Sequence, residues 1–396
     1  MKVYIVTTSP FPNGFAATNR IRCYAKGISH NGIPCEVLVV KRTENGPSRN
    51  LNREGRIESY SFRYVSKHTN RSVCPVVRKV YDYVDEWLSY RYLTAQLKKG
   101  DVVIYYGSWV LYEKMILRIS HKVGAKVVRE LCEFPFSELE NAVYDDKKYK
   151  NFVNNILPLY DFYFVISHAM EEFVMSFTSN DNILRIPIML DKLRLSSPST
   201  SSFDVHKPFI YHNGTITERK DCLIETLTGY ALALSKLNFP LYYYIAGDFN
   251  NSPIKEELNI IIEKYSLHNL VVFLGVKSYE DSLKILKKAD LVILNKQENI
   301  QNHFGFSTKL SEYLYYAKPV ITTYVGEAKF YLKDNESAFF VAEGSPELIA
   351  EKIVEVFSDT NKRISVGQQG KIIAEKEFDC IYQGSRINSF LNKNQI

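Results

Sequence analysis

Phe304-Gly305-Phe306-Ser307-Thr308-Lys309-Leu310-Ser311-Glu312-Tyr313-Leu314 runs shortly before Ala317-Lys318-Pro319-Val320-Ile321-Thr322-Thr323. A β-rich run, Leu291 to Leu294, stands ahead of it. Gly305 is read as a tight turn after the strand ending near Asn295, and Ser307 and Thr308 as N-caps of the helix that follows. Such a helix start points free backbone N–H groups and a positive dipole end beyond the strand ends, where a diphosphate would fit. Lys309 adds positive charge in the first turn, where the dipole alone would favour an acid. Glu312, three residues on and nearly on the same face, could accept two hydroxyl hydrogen bonds from a ribose. The alternative is a solvated Lys/Glu pair on a helix surface.

Outward from this stretch, short apolar runs alternate with helical patterns through the whole chain. The expected strands are Lys2–Thr7, Cys35–Val40, Val102–Tyr106, Lys126–Leu131 and Phe162–Ile166, then Phe209–His212, Leu241–Ala246, Val271–Leu274, Leu291–Leu294 and Pro319–Thr323. That rhythm predicts an α/β fold with two doubly wound, Rossmann-like units. A length of 396 residues also favours two domains over one core. The single low-complexity stretch, Ser196-Ser197-Pro198-Ser199-Thr200-Ser201-Ser202, marks a linker. The expected division is 1–195, a linker at 196–206, 207–375, and a last segment at 376–396.

Composition sets further bounds. Hydrophobic residues make up 45% and charged residues 24%, which suits a folded globular protein and not a disordered one. Six cysteines stand singly, without a CxxC pair or a Cys/His run at zinc spacing, so no structural metal and a reducing compartment are expected. Met1–Val6 is too short an apolar run for a signal peptide and reads as a first strand. No stretch approaches the roughly 20 apolar residues of a spanning helix, so a cytoplasmic protein is expected. Residues 1–200 carry 28 of the 50 basic and 20 of the 44 acidic side chains, an excess that favours an anionic partner there or is simply a solvated basic face. Pro75–Lys99 is a basic, aromatic helical pattern that either rests on a membrane surface or packs on its own domain.

Ser307-Thr308-Lys309-x-x-Glu312-Tyr313-Leu314 followed by Lys318-Pro319-Val320-Ile321 resembles the donor-site motif of family-four retaining glycosyltransferases. The resemblance implies a GT-B fold, two Rossmann-like domains facing across a cleft, with the nucleotide sugar on the second domain and the acceptor on the first. It implies that Glu312 binds the ribose, that Ser307 and Thr308 meet the diphosphate, and that the last segment crosses back to the first domain. Tyr211-His212-Asn213-Gly214-Thr215-Ile216-Thr217-Glu218-Arg219-Lys220 resembles the first strand and loop of the donor domain. Lys220 matches the family's diphosphate lysine, whereas Thr215 stands where an arginine is usual, so either Arg219 supplies the missing charge or the transition state is held less strongly. Gly247 lies in a segment similar to the second strand's turn, and Gly275 with Val276 in one similar to the turn that contacts the nucleobase.

In the first half, Ser9 to Arg20 resembles the family's first loop, which makes Gly14, Asn19 and Arg20 acceptor-side candidates; Arg129 to Phe136 adds Glu130 and Glu133. The alternatives there are a turn at Gly14, helix surface at Arg20 and acids satisfied by local N–H groups. One departure concerns the family's first glutamate, because Phe304 stands eight positions before Glu312, with Glu298 and His303 near but out of register. The expected activity is metal-independent transfer from a nucleotide-diphosphate sugar to a glycan or lipid-linked acceptor in surface polysaccharide synthesis. Lys220, Lys309 and Arg219 would steady the leaving diphosphate, and no cofactor is expected. The other readings are a non-catalytic GT-B nucleotide or glycan binder and a nucleotide-sugar epimerase. No GxGxxG follows the Met1 or Phe209 strand, which disfavours a dinucleotide-dependent dehydrogenase. Nucleic acid is not an expected partner.

Overall fold

The computed structural model describes residues 1–45, 49–107, 110–196 and 204–394. The chain forms two compact units: Met1–Asp191 with Phe378–Ile396, and Lys192–Glu377. Most of the Ser-rich stretch read as a linker, residues 197–203, lies outside the described residues.

The first unit is built on an eight-stranded sheet. Its strands are β1 (Val3–Thr7), β2 (Cys35–Val39), β3 (Glu54–Ile57), β4 (Tyr60–Tyr64), β5 (Val102–Tyr106), β6 (Lys126–Leu131), β7 (Phe162–Val165) and β8 (Ile183–Arg185). They lie in the order β3-β4-β2-β1-β5-β6-β7-β8, parallel except for the β3–β4 hairpin. β1 and β2 are buried at every position, as strands covered on both faces must be; β2 is broken only by Glu36, which accepts from Lys2 and Tyr92. The helix Cys380–Lys393 lies against the helix Ala16–His30 at a glycine pair: a Cβ on Gly27 would sit 2.1 Å from the Cys380 carbonyl oxygen. Leu190 N donates to Phe378 O at 2.7 Å and Cys380 N to Leu190 O at 3.0 Å, so both ends of the unit's chain break are stitched together.

The second unit holds six parallel strands: β9 (Phe209–Asn213), β10 (Tyr242–Ala246), β11 (Val271–Gly275), β12 (Leu291–Leu294), β13 (Val320–Thr323) and β14 (Phe339–Val341). Their order is β11-β10-β9-β12-β13-β14. Ile210, Tyr243, Ile245, Leu291, Ile293 and Ile321 join Leu227, Tyr230 and Ile349 in one core, each such side chain stabilising the unit by roughly 1.5–3 kcal/mol. Strand order reverses between β9 and β12. In an open parallel sheet the crevice beyond the strand ends at that point is where ligands bind.

Four strands exceed the sequence reading. β3 and β4 form a half-polar edge hairpin, while β8 and β14 are three residues each. The expected tight turn at Gly305 is corrected: a short helix, Ile300–Phe304, fills the connection, and Gly305 ends it with an ordinary φ of −90°. Space, not backbone conformation, demands glycine there, because a Cβ would lie 2.5 Å from the Gln301 carbonyl oxygen.

Candidate functional site

The switch point of the second unit collects charge. β9 ends in His212 and Asn213, and Gly214 follows at φ +138°, a conformation open to glycine. A Cβ there would meet Lys309 Nζ at 3.0 Å, and one on Gly247 would meet the Gly214 carbonyl oxygen at 2.3 Å. Both glycines thus allow close packing around the β9 loop. Asn213 is fixed from two sides: it accepts from the Tyr313 hydroxyl and donates to Ser282 Oγ at 3.1 Å.

Asp221 is the centre of the cluster. It follows Lys220 on the short helix Glu218–Asp221 and is only 4% exposed. Its carboxylate accepts from Lys309 Nζ and, at 2.5 Å, from Lys296 Nζ, with His212 Nε2 3.9 Å away. Lys296 also donates to the Lys220 carbonyl at 2.6 Å. Burial alone would raise the Asp221 pKa; Lys296 and Lys309 overcome it and hold the carboxyl well below the usual range. Burial and the two lysines push His212 down to about 3, so the ring is neutral. Burial also lowers Lys309, against the pull of Asp221, and Lys220 is close enough to add to that repulsion. Two ammonium groups thus share one carboxylate, with Lys220 near enough to act on Lys309.

Lys309 stands in the first turn of the helix Thr308–Tyr315, whose first turn holds no acid. Ser307 occupies the N-cap position, but its hydroxyl makes no capping bond. One turn on, half-buried Glu312 accepts a hydrogen bond from Tyr279, the first residue of the helix beyond β11. Burial pushes the Glu312 carboxyl up to about 7, with Tyr279, Arg194 and Lys309 pulling the other way. The Arg194 guanidinium lies over the Tyr279 ring, 4.1 Å from its centre. Gly275, at φ +70° with nothing within 4 Å of a Cβ, and exposed Val276 follow β11. Thr215 is exposed. The Arg219 carbonyl oxygen accepts from Asn299 at 3.0 Å and Asn302 at 3.3 Å, tying the Glu218–Asp221 helix to the loop after β12. Glu298 is paired with His303 at 2.8 Å.

The structure therefore gathers Asn213, Gly214, Lys220 and Lys309 at one point and sets Ser307, Thr308 and Glu312 on the adjoining helix. Asp221, Lys296 and His212 were missed. Their only signal in sequence is position: each lies within a few residues of Lys220 or of a C-terminal strand end.

The first-unit candidates divide differently. Arg20 and Glu130 are both buried and satisfy each other at 2.7 Å, with Arg20 also donating to Tyr24 and to the Pro187 and Ile186 carbonyls. A guanidinium with four partners and a carboxylate sealed beside it tie the Ala16–His30 helix to β6 and to the turn after β8. Gly14 packs on Thr18, whose Oγ1 would be 2.1 Å from an added Cβ. Asn19 is half-buried, and Glu133 is exposed with no ion pair among the described residues.

Residues 203–372 match the family described as Glycosyl transferases group 1. That stretch of the second unit is a group 1 glycosyltransferase domain, and the chain has the GT-B fold. Among solved structures, the chain is similar to HepE of Anabaena in complex with UDP and glucose, at 15% identity, TM-score 0.69, over 99% of this chain and 100% of that one. Sucrose-phosphate synthase from Thermosynechococcus elongatus matches at 13% identity and TM-score 0.73, over 99% and 98%. WaaG, a glycosyltransferase involved in lipopolysaccharide biosynthesis, matches at 12% and 0.66, over 98% and 99%. No curated protein matches the chain by sequence.

Proposed function

We propose that this glycosyltransferase moves a sugar from a nucleotide-diphosphate donor to a glycan or lipid-linked acceptor in surface polysaccharide synthesis, with retention and without a metal. The observation that carries the reading is Lys309 Nζ set against Gly214 at the switch point of the six-stranded sheet. Support also comes from HepE, solved with UDP and with UDP-glucose.

In this reading the diphosphate lies on the Gly214 backbone and the Ser307-Thr308 helix start. Lys309, Lys220 and Arg219 offset the charge that develops as the bond from the anomeric carbon to the diphosphate oxygen breaks. The acceptor hydroxyl oxygen bonds to that carbon on the same face, and its proton passes to the departing phosphate oxygen. Fixed ammonium groups do what a metal would otherwise do. Glu312 accepts from the ribose hydroxyls, displacing the Tyr279 bond, and Gly275 and Val276 border the base.

Thermal melting with UDP, GDP, ADP, dTDP and CMP tests the donor site, since a ligand bound only by the native state raises the melting temperature. A selective rise with one diphosphate is expected, followed by transfer from the matching sugar nucleotide in the presence of a chelator. No rise with any nucleotide in a folded sample sinks the reading. A second reading, a non-catalytic binder, is favoured by exposed Thr215 and by Asp221 taking up the charge of Lys309. Tight nucleotide binding with no turnover against any acceptor would select it.

A further inference from the structure

The helix Pro75–Gln96 of the first unit has its polarity reversed. On the side packed into the protein, Asp82 pairs with Lys41 at 3.3 Å and Asp85, wholly buried, with Arg42. Ser89 accepts from Tyr112 at 2.8 Å, and Tyr92 donates to Glu36 at 2.7 Å. On the opposite side Val73 (94% exposed), Val76, Val77, Val80, Tyr83, Val84, Trp87 and Tyr90 all face solvent. Their spacing of three and four residues draws one continuous stripe along the helix. Globular proteins bury such a stripe, and one left bare marks an interaction site.

Charge says what covers it. Every acid between Arg71 and Lys99, namely Asp82, Asp85 and Glu86, is at least half-buried on the inner side. The exposed charges over the same span are Arg71, Lys79, Arg91, Lys98 and Lys99, all basic, and Arg91 lies over the Trp87 ring at 4.9 Å. A second copy of the chain would bring no acid on this face to meet those bases. A bilayer bearing anionic headgroups meets both features at once: the valines and aromatic rings enter the acyl boundary while the bases stay with the phosphates. No helix among the described residues is long and apolar enough to cross a membrane, so the contact lies in the interface plane.

We propose that the exposed face of Pro75–Gln96 is a docking surface for an anionic lipid bilayer. The proposal stands apart from the donor-site reading and fails or holds separately from it. The full-length chain is floated with vesicles of phosphatidylcholine alone and of phosphatidylcholine with roughly one-third phosphatidylglycerol, at low and high salt. Binding to the anionic vesicles at least about ten-fold stronger, weakened by salt, is expected, with a blue shift in the fluorescence lost in Trp87→Phe. Val80→Glu with Val84→Glu, at solvent-facing positions that leave the fold intact, abolishes flotation while nucleotide-induced melting shifts stay the same. Lys79→Glu with Arg91→Glu lowers binding to the anionic vesicles alone. A chain that remains unbound with both vesicles, or a double-glutamate variant that floats like the parent, overturns the proposal. So does self-association that the same variant abolishes without any vesicle binding, which would give the face to a second copy.

Discussion

Asp221 and Lys309, 88 residues apart in sequence, meet as carboxylate and ammonium beneath the Gly214 turn. The pair does two things at once. It draws the Lys309 pKa upward against the burial that lowers it, and it takes up part of the charge that a diphosphate would otherwise meet.

Removing either partner has separable effects. Lys309→Ala leaves Asp221 bound to Lys296, so the fold survives while turnover falls by about 100-fold or more. Asp221→Asn leaves two half-buried ammonium groups without their shared carboxylate and costs about 3 kcal/mol of stability. Bound nucleotide diphosphate restores part of that loss, because its charge replaces the missing one. Calorimetric melting of both variants with and without nucleotide checks this. Equal nucleotide stabilisation of the parent and Asp221→Asn would show that the carboxylate and the ligand do not share these lysines.

Gly214→Ala meets two obstacles, a φ of +138° and the Lys309 ammonium 3.0 Å from the new methyl. Strain of this kind costs about 1–3 kcal/mol. The lysine shifts to relieve the contact, so nucleotide affinity falls along with the melting temperature. An unchanged dissociation constant by titration calorimetry would detach Gly214 from the site.

Donor binding is expected to depend on the ionisation of Glu312. Its folded pKa is raised to about 7, with Tyr279, Arg194 and Lys309 the groups facing it. Below that value the carboxyl is protonated and accepts ribose hydroxyl bonds poorly. Nucleotide affinity therefore strengthens as pH rises through 7, by up to about ten-fold between pH 6 and 8. Glu312→Gln flattens the profile and lowers turnover by orders of magnitude. A profile of the same slope in Glu312→Gln would move the titration to another group.

Arg20 and Glu130 predict the opposite kind of outcome. Glu130→Gln leaves a buried guanidinium without its charge partner and costs about 3–5 kcal/mol, measured by urea unfolding. Nucleotide affinity in the folded fraction stays that of the parent. Loss of nucleotide binding at full stability would return these residues to the ligand.

The strands that build both sheets were legible because β1, β5 and β12 are covered on two faces and so appear as apolar runs, with β2 interrupted only by Glu36 and β9 ending in His212 and Asn213. The β3–β4 hairpin was not, since Glu54-Gly55-Arg56-Ile57 buries little on an edge, and neither were the three-residue β8 and β14. At the site, Lys309, Glu312 and Lys220 stood out by their order along the chain. Asp221 could not, because its partners Lys296 and Lys309 lie 75 and 88 positions away and only the sheet order brings them together. The Arg20–Glu130 pair was hidden for the same reason: a charge in a loop motif and a buried ion pair spell alike until burial is known.

The glycine contact between Gly27 and Gly384 bears on how the molecule is made. The second unit is one unbroken stretch, whereas the first is completed by the last helix of the chain. During synthesis from the N-terminus the unit begun first is thus finished last. Its Ala16–His30 helix waits, with a bare glycine groove, until some 350 further residues have left the ribosome. Clipping that final helix would strip the older unit of its lid and leave the younger one whole.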